Sequence, residues 1–287
     1  MSMNRLHQTG STVPFDAAES RRRCRGMRRR ILDISQSVPA LHIAPAFSCL
    51  EIVDVIYFGF MGCEPGAVPP DTFILSKGHG AMAQYLVLEE LGVLSESEVK
   101  NCGKAGSRLG MHPDYGTPGI EAATGSLGHG LAMAVGMALA DKVLGRDRMV
   151  YVVLSDGELQ EGSVWEALML APNLKLDKLI VIVDLNDYQA LGKISQVHPN
   201  FYPITDKVRA FGWETAEADG HDQHKVYDTV LARQGNGPFL LLAHTVKGKG
   251  VSYMEHTPIW HYRSPSPEEY KQAIRELDAA EENDRHA

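Results

Sequence analysis

The sequence predicts an α/β domain in which a parallel sheet is sandwiched between helices. Three observations carry this. In the central part of the chain, apolar runs at 149–154 (MVYVVL), 178–184 (KLIVIVD) and 238–244 alternate with helix-like segments. The first two are apolar almost throughout, as strands covered on both faces must be. Each run is followed by polar or glycine residues: Ser155-Asp156-Gly157, Asn186-Asp187-Tyr188 and the segment 245–250. In sheets of this type, ligands sit beyond the carboxyl ends of the strands.

Residues 1–14 read as a flexible N-terminus, 15–270 as one domain and 271–287 as an acidic C-terminal tail. The first twenty residues lack an apolar core and carry acidic side chains, so neither a signal nor a transit peptide is expected. A helix is predicted over 16–38, opened by Asp16 and closed by Pro39. A second is predicted from Ser48, with Glu51 at the reciprocal capping position. A Gly/Pro loop covers 62–71. The apolar run TFILS follows at 72–76, then a helix through AMAQYLVLEELG. Residues 107–125 (SRLGMHPDYGTPGIEAATG) form a long Gly- and Pro-rich loop, which in a compact domain is often functional. A small-residue helix is expected over 126–145, able to pack closely on another backbone. Next come a strand at 149–154, a helix at 161–170 and a strand at 178–184. A strand at 213–218, a helix at 222–234 and a strand at 238–244 complete the domain. The tail is expected to be a surface helix that frays.

With 287 residues, 44% hydrophobic and 22% charged, the composition is that of an ordinary globular chain. No stretch of about 20 apolar residues stands out, so no membrane span is expected. Cys24, Cys49, Cys63 and Cys102 show no zinc-ligand or redox spacing. Free thiols in a reducing, cytoplasmic compartment are expected. A net charge of −8 argues against a nucleic-acid binder. Against that balance, seven of the ten residues 21–30 are arginine. They read as a solvated helix face or a subunit contact, with a phosphate or nucleic-acid contact as the alternative.

The chemistry begins at the strand ends. Asp156 and Asn186 each follow a buried strand, and carboxylate and amide oxygens are hard ligands suited to Mg²⁺ or Ca²⁺. Gly157 would let the backbone pass close to a phosphate and would open a helix whose N-terminus favours an anion. The pair SDGELQEGSVWEA…LIVIVDLNDYQALG resembles the thiamine diphosphate motif, with Ser155 where the usual first glycine stands. Four histidine segments narrow the resemblance: LHIAP at His42, SKGHGA at His79, GMHPDYGTPGIEAATGSLGHG at His112 and HTVKGKG…WHYRSP at His261. Together, over residues 31–265, the chain resembles transketolases. One departure is PALHIAP, bulkier than the family's usual SGHPG, which leaves the local backbone path open.

The resemblance implies a thiamine diphosphate-binding fold and the N-terminal, diphosphate-binding subunit of a split transketolase. Such an enzyme transfers a two-carbon ketol unit from a ketose or ketose phosphate to an aldose. It further implies a partner subunit that supplies the pyrimidine-binding domain and an activating glutamate, in an α2β2 assembly, with no membrane or nucleic-acid partner. By the same carry-over, Asp156 and Asn186 hold the metal through their side chains and Tyr188 through its carbonyl. His79 and His261 approach the diphosphate or the reacting carbon, and Lys247 contacts the diphosphate. Gly125 and Leu127 lie on the aminopyrimidine side, and Glu161 joins a carboxylate network between subunits. His42 and His112 bond the ketose hydroxyls and shuttle protons, a task that suits imidazole because its unperturbed pKa is near neutral. His129, His198, His221 and His224 fall outside the pattern and read as surface or structural residues. The rival readings are another thiamine enzyme (a deoxyxylulose phosphate synthase fragment or a keto-acid dehydrogenase alpha chain), a non-catalytic scaffold of the same fold, and a nicotinamide-binding domain. The last lacks its glycine fingerprint.

Overall fold

The computed structural model describes residues 15–39, 41–66, 69–190 and 192–286. The segment expected to be flexible, 1–14, lies outside the described residues. In chain order the elements are α1 (Ala17–Ser35), α2 (Ile43–Asp54), β1 (Thr72–Leu75), α3 (Ala81–Glu90), α4 (Glu96–Lys100), α5 (Gly130–Val143), β2 (Val150–Ser155) and α6 (Gly162–Asn173). They continue with β3 (Leu179–Leu185), α7 (Ile194–Val197), α8 (Ile204–Ala210), β4 (Glu214–Asp219), α9 (Gln223–Leu231), β5 (Phe239–His244) and α10 (Pro267–His286).

The five strands form one parallel sheet in the order β1-β2-β3-β5-β4. Strands β2 and β3 are buried at every position, whereas the edge strand β4 is half-exposed. Side chains alternate between the two faces of a strand, so each strand feeds two cores. Tyr151, Val153, Ile180 and Ile182 join one core with α1, α2, α3, α9 and α10. Val150, Val152, Val181 and Val183 join the other with α5, α6 and α8. The register sets Ser155 beside Asp184 and Leu185 beside His244. The carboxyl ends of β2, β3 and β5 therefore finish level, and their following loops emerge on one edge.

Several sequence expectations need correction. Helix α2 begins at Ile43, so Ser48 lies inside it, fully buried, and does not cap it. Pro45 obscures this start, but in a first turn a proline forfeits no helical hydrogen bond. Glu51 is accordingly no capping partner. Helix α5 begins at Gly130, four residues late, because Gly128 takes a left-handed φ of 87°. The short α4, absent from the sequence expectations, carries a full Ser95–Glu98 capping box. The helix α10 runs through the division at 270, with Ala273 and Leu277 buried in the core.

Helix α2 continues as a π-helical segment, Val55–Phe60. This 18-residue run is long and apolar enough to cross a membrane by length and composition alone, but 89% of it is buried inside the protein. Its contacts with α1 and α3 account for its apolar character. The arginines of α1 bind it to its neighbours. Arg23 pairs with Asp54, Arg28 with Glu51, Arg29 with Asp278, and Arg30 with Glu89 and Glu96. The cluster thus acts largely within the molecule.

Arg28 reaches the two Glu51 oxygens at 2.5 and 2.9 Å, and donates to the carbonyls of Phe47 and Lys249. Both partners are buried. Arg28→Met would strand the Glu51 carboxylate, and unfolding stability is expected to fall by about 3–5 kcal/mol. Urea unfolding of the two chains checks this; an unchanged midpoint would rule out the pair as a structural clamp.

Candidate active site

The loop after β1 turns at a 3₁₀ segment, Gly78–Gly80, and presents His79. A Cβ at Gly78 would lie 2.6 Å from Gly125 N and 2.8 Å from Thr124, so the His79 loop and the long 107–125 loop touch backbone to backbone. Thr124 also donates to the carbonyl of Leu75 at 2.8 Å. At Gly125, φ is 126°, and a Cβ there would meet the His112 ring at 2.7 Å. Only glycine combines that backbone conformation with that approach.

Four histidines from four chain segments converge. The His42 ring lies 5.3 Å from His112, 5.6 Å from His261 and 6.2 Å from His79, while His79 and His261 are 5.2 Å apart. The divergent PALHIAP segment still delivers its histidine, at the start of α2. Tyr262 packs on His42 at 4.7 Å, a neighbour that no sequence motif singles out. These four rings, with Gly125, Leu127, Gly157, Glu161 and Tyr188, line a cavity of about 470 Å³. Gln160 and Gln189 also line it, bonded to each other at 2.9 Å across the ends of β2 and β3. Neither glutamine is among the sequence-predicted site residues, since nothing in their spacing marks them.

Asp156, Asn186 and Lys247 do not line the cavity; they lie buried beside and beneath it. Asp156 accepts from Gly157 N at 2.8 Å, Asn186 N at 3.0 Å and Asp187 N at 2.5 Å. Burial, and then the neighbouring Asp184 carboxylate, push its pKa up to about 7. The Asn186 oxygen accepts from Tyr188 N at 3.0 Å. Two hard side-chain oxygens and the Tyr188 carbonyl, around a buried carboxylate whose charge is destabilised, fit Mg²⁺ or Ca²⁺. Among the described residues, no three His, Cys, Asp or Glu side chains are placed to hold a metal ion together. Oxygens of a bound molecule and water would complete the coordination.

Lys247 sits 2.9 Å from His261 Nδ1, 3.5 Å from the Tyr188 carbonyl and 3.4 Å from that of Gln189. Burial, then the nearby Lys77, bring its pKa down to about 8. As the ammonium donates to Nδ1, the neutral His261 ring carries its proton on Nε2. Burial likewise lowers His42 to about 4, with His112 and Lys247 adding, and His261 to about 3, with Lys247 adding. It lowers His79 and His112 as well. All four rings are therefore neutral near pH 7.

Two expectations shift. Gly157 has an ordinary φ of −60° and opens only the three-residue 3₁₀ turn Glu158–Gln160, so no helix N-terminus serves an anion there. Helix α6 starts five residues later. Glu161 is its N-cap residue but makes no side-chain cap bond, and lies exposed at the cavity rim. Of the histidines set aside, His129, His198 and His224 are exposed. His221 is structural: it bonds Glu51 at 3.0 Å and accepts from Val246 N at 2.8 Å.

Residues 25–277 match the family described as "Transketolase, thiamine diphosphate binding domain". The apulose-4-phosphate transketolase subunit from Phocaeicola vulgatus is 39% identical over 255 residues, covering 87% of this chain and 90% of that protein. The 6-deoxy-6-sulfo-D-fructose transketolase subunit SqwG of Clostridium sp. is 36% identical over 243 residues, covering 83% and 88%. Among solved structures, the transketolase of Campylobacter jejuni matches with a TM-score of 0.84 at 27% identity, over 92% of this chain and 43% of that one. The chain thus spans most of the length of these subunit relatives and less than half of that solved transketolase.

Proposed function

This chain belongs to the transketolase family, and from that premise we propose that it is the diphosphate-binding subunit of a two-chain transketolase, moving a two-carbon ketol unit from a ketose or ketose phosphate to an aldose. One observation carries the reading: four neutral imidazoles converge on a cavity beside a buried oxygen-ligand pair, Asp156 and Asn186. Thiamine diphosphate, when bound, supplies the electron sink for breaking and making the carbon–carbon bond. Asp156, Asn186 and the Tyr188 carbonyl hold Mg²⁺ or Ca²⁺, and the Lys247 charge balances diphosphate oxygens. Gly125 and Leu127 offer a close surface to the aminopyrimidine. His261 stands 2.9 Å from Lys247, with the His79 ring 5.2 Å from the His261 ring, and both are taken to face the diphosphate or the reacting carbon. His42 and His112 accept hydrogen bonds and protons from sugar hydroxyls, which neutral rings do at pH 7.

Relatives of similar length are themselves named as transketolase subunits. That supports a partner subunit bearing the pyrimidine-binding domain and its activating glutamate, with Glu161 on the rim facing it. A closed α2β2 assembly follows the common symmetry of such enzymes. Four buried free cysteines favour a reducing compartment, the cytoplasm. The relatives' names carry two different sugars, so the donor is left to a ketose–aldose screen. Native purification with mass spectrometry tests the assembly: a second chain and thiamine diphosphate should co-purify. A lone homo-oligomer without the cofactor would overturn it.

The pH dependence of metal loading follows from Asp156. Its folded pKa is raised to about 7, so below pH 7 a proton occupies the carboxylate and must leave when the metal binds. The Mg²⁺ concentration for half-saturation is expected to rise about tenfold per pH unit below 7. At saturating Mg²⁺ this dependence should vanish. Metal titrations at pH 5.5, 6.5 and 7.5 check both statements.

A further inference from the structure

We propose that Ser48 is a positioning residue that fixes which end of the Asn186 side chain faces the metal. This rests on the transketolase reading above. The argument starts at Asp184, buried at the end of β3. One of its oxygens is held by the Lys77 ammonium. The other accepts from the Thr245 hydroxyl and from Ser48 Oγ, the latter at 2.7 Å. Ser48 Oγ also lies 3.2 Å from the Thr245 hydroxyl, but the carboxylate is the closer acceptor and the charged one, so Ser48 gives its single proton to Asp184. What Ser48 has left is lone pairs, and these face Asn186 Nδ2 at 3.1 Å.

An amide nitrogen can satisfy those lone pairs, whereas an amide oxygen would be repelled by them. The NH₂ end of Asn186 is thereby held toward Ser48 and the oxygen toward the other side. There Oδ1 accepts from Tyr188 N at 3.0 Å and keeps its second lone pair for a cation. The amide is thus held from both ends, by the Ser48 lone pairs at Nδ2 and by the Tyr188 N–H at Oδ1, and without Ser48 only the Tyr188 N–H would oppose its rotation. Ser48, Asp184 and Lys77 are at most 1% exposed, and Asn186 is 8% exposed, so bulk water does not compensate for a lost partner. Polarity is thus set at Lys77, passed through Asp184 and Ser48, and read out at the amide.

The test is calorimetric titration of Mg²⁺ into the chain assembled with its partner subunit, with thiamine diphosphate saturating. Ser48→Ala should weaken Mg²⁺ binding about tenfold while kcat at saturating Mg²⁺ stays within about threefold. Thr245→Val removes a hydrogen bond to Asp184 and the 3.2 Å contact with Ser48 but no bond to Asn186, and should leave Mg²⁺ affinity within about twofold. Ser48→Thr, which keeps the hydroxyl, should restore binding. Should Ser48→Ala not fold, Ser48→Cys, a poor acceptor, carries the same expectation. No change in Ser48→Ala, or equal weakening in Ser48→Ala and Thr245→Val, would overturn the assignment while the transketolase reading stands. A wild-type complex that binds thiamine diphosphate without any metal would overturn both.

Discussion

Asp156→Ala is expected to abolish metal-dependent binding of thiamine diphosphate in the assembled enzyme. The carboxylate is held by three backbone N–H groups, from Gly157, Asn186 and Asp187, so its position is fixed before any ligand arrives. Removing it leaves one side-chain oxygen and a carbonyl, too few for a divalent ion that takes six or more ligands. Loss of a supporting partner alone typically costs 10–100-fold in metal affinity, and loss of a ligand should cost more than about a hundredfold. Asp156→Asn separates charge from shape: it keeps the outline and one oxygen, and should bind weakly rather than not at all. Fluorescence titration with Mg²⁺ and thiamine diphosphate measures both. Retained affinity in Asp156→Ala would refute the metal assignment.

His112→Ala should damage turnover far more than cofactor affinity. His112 is only partly buried, on the flank of the cavity that Gly125 forms, and its nearest ring partner is His42 at 5.3 Å. Among the described residues, no hydrogen bond joins its ring to Asp156, Asn186 or Lys247. Loss of a proton-transferring side chain lowers rates by about 10²–10⁴-fold, so kcat should drop by at least about a hundredfold while cofactor affinity changes little. The side-chain deletion also opens space beside Gly125, so His112→Asn, which retains hydrogen bonding to a hydroxyl, should recover substrate affinity better than rate. Unchanged steady-state rates in His112→Ala would remove the proposed substrate role.

Much of the fold was legible because strands buried on both faces have a signature that survives any tertiary context. The runs at 149–154 and 178–184 fall within one residue of β2 and β3, and Asp156 and Asn186 stand at their ends. The start of α2 was not legible: His42, Ile43 and Ala44 carry no capping side chain, and Pro45 reads as a breaker. The Ser48–Glu51 spacing then mimicked a capping box, although Glu51 is committed to Arg28 across 23 residues. Convergence of the four histidine segments was implied only by family resemblance, since no local pattern brings His42 and His261 together. The buried Lys77–Asp184 pair spans 107 residues and leaves no trace in either neighbourhood. The Glu161 assignment shows the opposite limit: its exposure is visible, but the role proposed for it rests on a second chain.

The backbone contact at Gly78 bears on how this enzyme can be redesigned. The turn that carries His79 and the loop that carries His112 are separated by about thirty residues, yet their backbones approach so closely at Gly78 that neither can move toward the other without displacing it. For an engineer grafting a substrate-recognition loop from a relative with a different sugar, residues 107–125 are not a free cassette. They would have to travel together with the 76–80 turn, as one transplantable unit.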